Sequence, residues 1–234
     1  MAALEGKVSE VFKSIQGEGL YQGVDQIFVR FFGCNLKCSF CDTKLDYYKQ
    51  KTTVELFDEI TSLGSCHSLS ITGGEPLLQI DFLKDLLKLI KLKEQKVCPS
   101  KPWRRRVYLE TNGTLPKNLE KVIEYTDIIA MDFKLPSSTG LKSFWGEHQK
   151  FLKIACKKKV FVKAVINTRT MIEDVYKMIE IIKNSGEEIA VVLQPQDLLE
   201  IMVKSKLKGF RQLCQEEGIQ TKIIPQIHKK LGLR

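Results

Sequence analysis

The sequence predicts an α/β fold built on a mainly parallel sheet. Short β-rich runs alternate with longer stretches of helical periodicity. Parallel strands need helical crossovers, so repeated βα units imply a parallel sheet, either open or curved into a partial barrel. A polar motif also follows each apolar run, at the strand ends where ligands gather in such folds.

The strands, in order, are QIFVRFFG (26–33), SLSITGG (68–74), RVYLETNG (106–113), IIAMDFKL (128–135), VFVKAVI (160–166) and AVVLQPQ (190–196). All are rich in β-branched, aromatic or aliphatic residues. Helices are expected over 54–63, 81–96, 117–126, 141–156, 171–185 and 203–217. In the second, Leu83, Leu86, Leu87 and Ile90 form one apolar stripe; in the fifth, Val175, Met178, Ile179 and Ile182 do the same, and Gly186 supplies a stop. KIIPQIH (222–228) reads as one more strand. The polar motifs follow the strands in turn: GCNLKC, TGGEP, ETNG, DFKLP, NTR and QPQ. With no linker, repeat or low-complexity segment, residues 1–234 read as one domain with an N-terminal extension over 1–25.

The chain has 234 residues, 43% of them hydrophobic, enough for a sizeable core. No apolar run reaches spanning length, so no membrane is expected as a partner. MAALEGKVSE lacks an apolar signal region, which predicts a cytoplasmic protein. Seven cysteines, three of them clustered, suit metal binding in a reducing compartment better than a disulfide framework. Cys66, Cys98, Cys156 and Cys214 are scattered and read as ordinary thiols. The net charge of +9 includes dense runs at Arg104–Arg106 and Lys157–Lys159. Neither interleaves the aromatics that stack on bases, so both read as solvated charge, with no direct nucleic-acid partner.

Cys34, Cys38 and Cys41 stand at C-x3-C-x2-C spacing. A structural zinc ion wants four ligands, and His67, the one nearby candidate, falls at the opposite end of the sheet. A cubane iron–sulfur cluster held by three thiolates keeps one iron open for a substrate or cofactor. Zinc and incidental thiols are the alternatives. Gly33 lets the backbone pass close to a bulky group, and Phe32 and Phe40 are placed to shield it.

The cysteine spacing, joined to TGGEP at 72–76, resembles the radical S-adenosylmethionine (SAM) superfamily. That resemblance implies a partial (β/α)6 barrel, a [4Fe-4S] cluster on Cys34, Cys38 and Cys41, and SAM chelating the open iron. It implies SAM contacts from Gly74, Glu75, Glu110, Asp132, Lys134 and Gln194: the glycine-rich turn and Glu75 for the methionine amine, Glu110 for ribose hydroxyls, Lys134 for the methionine carboxylate, Gln194 for adenine. SIQGEG, then IFVRFFGCNLKCSFCDT, then QIHKKLGLR at the C-terminus are similar to the 7-carboxy-7-deazaguanine synthase family. That likeness implies rearrangement of 6-carboxy-5,6,7,8-tetrahydropterin to 7-carboxy-7-deazaguanine with loss of ammonia, in queuosine, archaeosine and related deazapurine synthesis. It also implies substrate contacts from Ile15, Gln16, Gly17, Glu18, Arg30, Thr72, His228 and Arg234, with residues 219–234 near the site. Mg2+ would sit on Thr43, flavodoxin or ferredoxin would supply electrons, and the chain would form a homodimer. The residue types agree: Gln16 and Glu18 can pair with a pterin edge, and Arg30 can fork a carboxylate. The chain departs from the family in reading DFK where some members have Ser-Pro-Lys, in a long helix over 138–158, and in ending at Arg234. The competing functions are a radical SAM activase acting on a partner protein and a zinc-dependent RNA-binding module.

Overall fold

The computed structural model describes residues 4–43, 46–97, 106–197 and 200–227. Its centre is a nine-stranded sheet in the order β3-β1-β2-β4-β5-β6-β7-β8-β9. Strand β1 (Glu5–Ile15) runs antiparallel to β2 (Asp25–Phe31) and to the edge strand β3 (Lys49–Thr52). From β2 onward all pairings are parallel, through β4 (Ser68–Gly73), β5 (Arg106–Thr111), β6 (Ile128–Asp132), β7 (Lys159–Ile166), β8 (Val191–Pro195) and β9 (Thr221–Ile223). The crossovers are helical: α1 (Thr53–Ser62), α2 (Ile80–Val97), α3 (Pro116–Val122), the short α4 (Pro136–Thr139), α5 (Trp145–Ala155), α6 (Ile172–Lys183) and α7 (Ile201–Glu216). None of the described helices is long and apolar enough to cross a membrane.

Alternation along each strand separates two environments. Ile27, Val29, Leu69, Ile71, Val107, Leu109, Ile129, Met131, Val162, Ala164, Val191 and Leu193 belong to the main core, with Leu56, Leu83, Phe151, Met178 and Leu207 from the helices. The intervening residues face the other way. Tyr108, Ile128, Ala130, Phe161 and Val192 make a second, smaller apolar cluster. Beyond it toward the strand ends, polar residues of successive strands line a single cavity, among them Arg30, Thr72, Glu110, Asp132, Lys163 and Gln194. Side chains from β1, β2 and β4 to β8 meet around one cavity only if the sheet curls, which makes this an open partial barrel.

The N-terminal extension is not a simple appendage. Its longest element is β1, whose pairing with β2 shifts register between Val8 and Glu10. That irregularity breaks the period-2 signal a strand needs to be seen in sequence. The following loop turns across the mouth of the small cluster. Leu20 and Tyr21 pack against that cluster, with the Tyr21 ring 5.4 Å from Tyr108 and 6.3 Å from Phe161. Gly19 makes this possible, because its φ is +64° and a Cβ would come within 2.8 Å of Phe161. Gln22 Nε2 donates to Pro225 O (2.6 Å) and Ile227 N donates to Gly17 O (3.0 Å), so the loop is stitched to the segment after β9.

Other boundaries also differ from expectation. The expected long helix over 138–158 is two pieces, because α4 ends at Gly140 (φ +73°) and α5 begins at Trp145. The expected helix over 117–126 finishes in a 3-10 turn at Ile123–Tyr125. The final strand covers Thr221–Ile223 rather than 222–228. His228, Arg234, Cys98, Arg104 and Arg105 lie outside the described residues.

Candidate active site

The cavity has a volume of about 550 Å3, within the range of small-molecule sites. Its lining includes Ile15, Gln16, Gly17, Glu18, Arg30, Cys34, Cys38, Cys41, Thr43, Thr72, Gly74, Glu110, Asp132, Lys134 and Gln194. Of the described residues predicted from the sequence, only Glu75 is absent from that lining.

Glu75 is fully buried behind the cavity. Its carboxylate accepts from Leu77 N (3.1 Å), Asn112 N (2.8 Å) and Thr111 Oγ1 (2.9 Å). Burial outweighs those donors and raises its pKa to about 7. In this structure Glu75 fastens the TGGEP turn to the end of β5 rather than presenting charge to a ligand. Gly74 lies where a Cβ would come within 2.1 Å of Gly33 O and 2.9 Å of Cys34 Cβ, so the glycine turn and the cysteine loop pack backbone to backbone.

The cysteine loop is anchored on three sides. Asn35 donates to Thr114 Oγ1 (2.8 Å) and accepts from Asn112 Nδ2 (2.9 Å), and Ser39 N donates to Thr139 O (2.9 Å). The Arg169 guanidinium donates to Ser39 Oγ and to Ser138 O (3.2 Å). Cys34 and Cys41 are exposed and Cys38 is half-buried. Desolvation pushes the Cys34 and Cys38 thiols up, so metal binding here must displace protons. Among the described residues no three ligand groups converge at single-ion spacing. Three thiols at one rim are the donor set for a cluster with one open position. Phe40 stays at this rim, with Lys134 Nζ 5.6 Å from its ring, whereas Phe32 turns away to Tyr48 (4.6 Å) and does not shield the loop. His67, the zinc alternative's fourth ligand, sits at the start of β4 beside Tyr21 (5.8 Å).

Gln194 lies at the end of β8, 3% exposed, with a buried Oε1 that has no partner. Asp132 Oδ1 is likewise buried and unpartnered. Orphaned acceptors on a cavity wall are what a donor-bearing cofactor would satisfy. The residues present therefore fit both a three-thiolate cluster and SAM.

Among the described residues, those predicted to take substrate line the same cavity, and Gln16 and Thr72 both bond to Glu110. The Gln16 amide donates to Gln26 Oε1 (2.9 Å) and Glu110 Oε1 (2.7 Å), and its oxygen accepts from Glu18 N (3.1 Å). Its side chain is thus committed to protein partners, and Glu18 is the loop's carboxylate at the cavity. Glu110 also accepts from Thr72 Oγ1 (2.8 Å) and Ser70 Oγ (3.2 Å). Arg30 Nε donates to Glu10 Oε2 (3.1 Å).

Sequence reasoning missed Lys163. Its ammonium pairs with Glu18 and lies 3.5 Å from Asp132, which also takes Lys134 at 2.7 Å. Burial disfavours charge on all four groups. The partners win: both carboxyl groups are held below their ordinary values, and both ammonium groups above theirs. The available signal was a lysine inside an otherwise apolar strand, VFVKAVI.

A curled parallel sheet, three cysteines after its first parallel strand and a glycine turn packed on them after the next define a radical SAM protein. Residues 28–195 match the family model described as the Radical SAM superfamily. The chain is 34% identical over 255 residues to a 7-carboxy-7-deazaguanine synthase of Geobacter sulfurreducens, covering 97% of each chain. It is 34% identical over 248 residues to the synthase of Archaeoglobus fulgidus, covering 99% of this chain and 100% of the other. The crystal structure of QueE from Escherichia coli shares the fold, at TM-score 0.62 and 21% identity, over 94% of this chain and 93% of that one. The chain belongs to the 7-carboxy-7-deazaguanine synthase family. Neither competing function, the activase nor the zinc module, is favoured by these relationships.

Proposed function

We infer that the chain converts 6-carboxy-5,6,7,8-tetrahydropterin to 7-carboxy-7-deazaguanine with loss of ammonia, for deazapurine synthesis such as that of queuosine or archaeosine. The observation that carries this reading is end-to-end likeness to synthases of that name, together with one cavity that joins the cysteine loop to the QGEG loop. When bound, the cluster and SAM supply reductive cleavage of the sulfonium and a carbon radical that abstracts a hydrogen from substrate.

The protein's own contribution is placement. Cys34, Cys38 and Cys41 would hold the cluster. Backbone near Gly74, the Glu110 carboxylate, the Asp132–Lys134 pair and the orphaned Gln194 Oε1 would hold SAM. Glu18 would accept from the donor edge of the pterin, Arg30 would take its carboxylate, and Thr72 and the Ile15–Gly17 backbone would complete that set of contacts. Thr43 would give one hard oxygen to Mg2+. Stitching of Gln22, Pro225, Gly17 and Ile227 supports reading residues 1–25 and 219–234 as parts of the same single-domain site. A low-potential flavodoxin or ferredoxin would deliver the electron, and we place the enzyme in the cytoplasm as a homodimer.

The test is incubation of anaerobically reconstituted protein with SAM, a reductant and carboxytetrahydropterin. A product with the mass of 7-carboxy-7-deazaguanine is expected, with SAM regenerated. Cluster-loaded protein that cleaves SAM yet leaves this pterin unchanged would remove the assignment.

A further inference from the structure

We propose that Lys163 is a positioning residue for substrate: it fixes the Glu18 carboxylate in the orientation that receives the N–H edge of the pterin. The proposal rests on the functional reading above and assigns a role to a residue that reading does not use.

Lys163 stands in the row of polar residues that the inward face of the sheet presents to the cavity. Its strand neighbours on that face, Phe161 and Val165, are apolar, and Ala164 and Val162 on the other face are core. A lysine kept at such a place loses most of its hydration, its side chain being 15% exposed. Its ammonium regains partners from two elements. Glu18 comes from the loop after β1, and Asp132 lies directly opposite on β6, where the two residues are paired in register. Asp132 continues to Lys134, and Lys134 lies over Phe40 of the cysteine loop. Charges therefore alternate along this part of the cavity wall: Glu18, Lys163, Asp132, Lys134.

Two features separate this from a salt bridge that serves the fold alone. Buried ion pairs are weak net stabilisers, so stability gives little reason for one here. Glu18 also depends on Lys163 for orientation: one oxygen takes Lys163, the other takes Gln226 Nε2. With both oxygens held, the carboxylate plane is set. Each oxygen keeps a further lone pair, and the two together can take a ligand with adjacent N–H donors of amidine or guanidine type. Removing Lys163 would leave Glu18 with one tether.

The test measures equilibrium binding of carboxytetrahydropterin and of SAM to reconstituted protein without reductant, so turnover does not enter. Lys163→Met is expected to weaken pterin about 10- to 100-fold, the effect of losing an oriented charged hydrogen bond, and SAM by less than about threefold. Lys163→Arg, which keeps the charge, should recover most of the affinity. Because Lys163 acts through Glu18, Lys163→Met/Glu18→Gln should bind pterin no more weakly than Glu18→Gln alone. Wild-type pterin affinity in Lys163→Met, equal losses of pterin and SAM, or additive losses in the double variant would each overturn the proposal. If wild type binds no pterin at all, the functional reading falls instead, and urea unfolding of wild type, Lys163→Met, Glu18→Gln and the double variant decides the pair. Lys163→Met should then be less stable than the double variant, and additive effects would dismiss the Glu18–Lys163 coupling.

Discussion

Arg30 bonds to Glu10 through Nε, so its two terminal amino groups are the ones a substrate carboxylate would take. The pair with Glu10 is partly exposed, 23% and 37% for the two side chains, and such pairs contribute about 1 kcal/mol or less. Arg30→Ala should therefore barely change stability while weakening pterin binding about 10- to 100-fold. SAM cleavage without substrate should survive. A variant that binds carboxytetrahydropterin as wild type does would move the carboxylate elsewhere. Thr43→Val keeps the shape of the side chain and removes its oxygen. It should retain its cluster and SAM cleavage and lose the acceleration of product formation by added Mg2+; an undiminished response would free Thr43 of the metal. At this scale the sequence was most legible where a polar residue ended an apolar strand, as at Thr72, Glu110, Asp132 and Gln194. It did not show the burial of Glu75, which depends on Thr111 and Asn112, 36 and 37 positions away. Its signal at Lys163, one lysine in an apolar strand, was easily passed over, since a lysine in a strand ordinarily reads as facing water.

At the scale of elements, α5 docks through His148, which is fully buried. The His148 Nε2 lies 3.2 Å from Asn112 O, and its ring centroid is 4.2 Å from that of Phe133. Burial lowers its pKa to about 4, below the ordinary 6.5. The unfolded chain thus takes up the proton first on acidification. Stability from this group is complete above pH 6.5 and falls as pH drops toward 4, by about 3 kcal/mol in all. His148→Gln should flatten that acid limb, as read from urea unfolding at several pH values. Equal slopes for variant and wild type would refute the attribution. Element types were legible from periodicity, and all six parallel strands of the prediction exist. The failures have local causes. The register shift at Val8 and Glu10 concealed β1, and β3 (KQKT) carries no apolar signature. Gly140 splits an expected helix by a left-handed cap that composition alone does not announce.

Across the whole molecule, the sheet ends at β3 on one side and β9 on the other, and the loop over 16–24 ties the two halves together. Gln22 is central to that tie, donating to Gly17 O (3.2 Å) and Pro225 O (2.6 Å). Losing both bonds removes about 1–2 kcal/mol of local stability. Gln22→Ala should then speed amide hydrogen exchange about 5- to 30-fold in 16–24 and 221–227 together, with β4 to β7 unchanged. Acceleration confined to one of the two segments would mean that they are not a unit.

The small apolar cluster under the polar row sets how far anything can enter. Tyr108 and Phe161 both line the cavity and both touch the Tyr21 ring beneath it. They would act as a depth gauge: a flat bicyclic ligand could rest on them, and a longer one would be stopped. Ligand length is thereby written in different residues from ligand polarity. Shaving Phe161 to a smaller side chain should let the cavity accept a bulkier ring system while the proposed polar contacts of Glu18 and Arg30 stay in place, which would make reach and recognition separately adjustable in this scaffold.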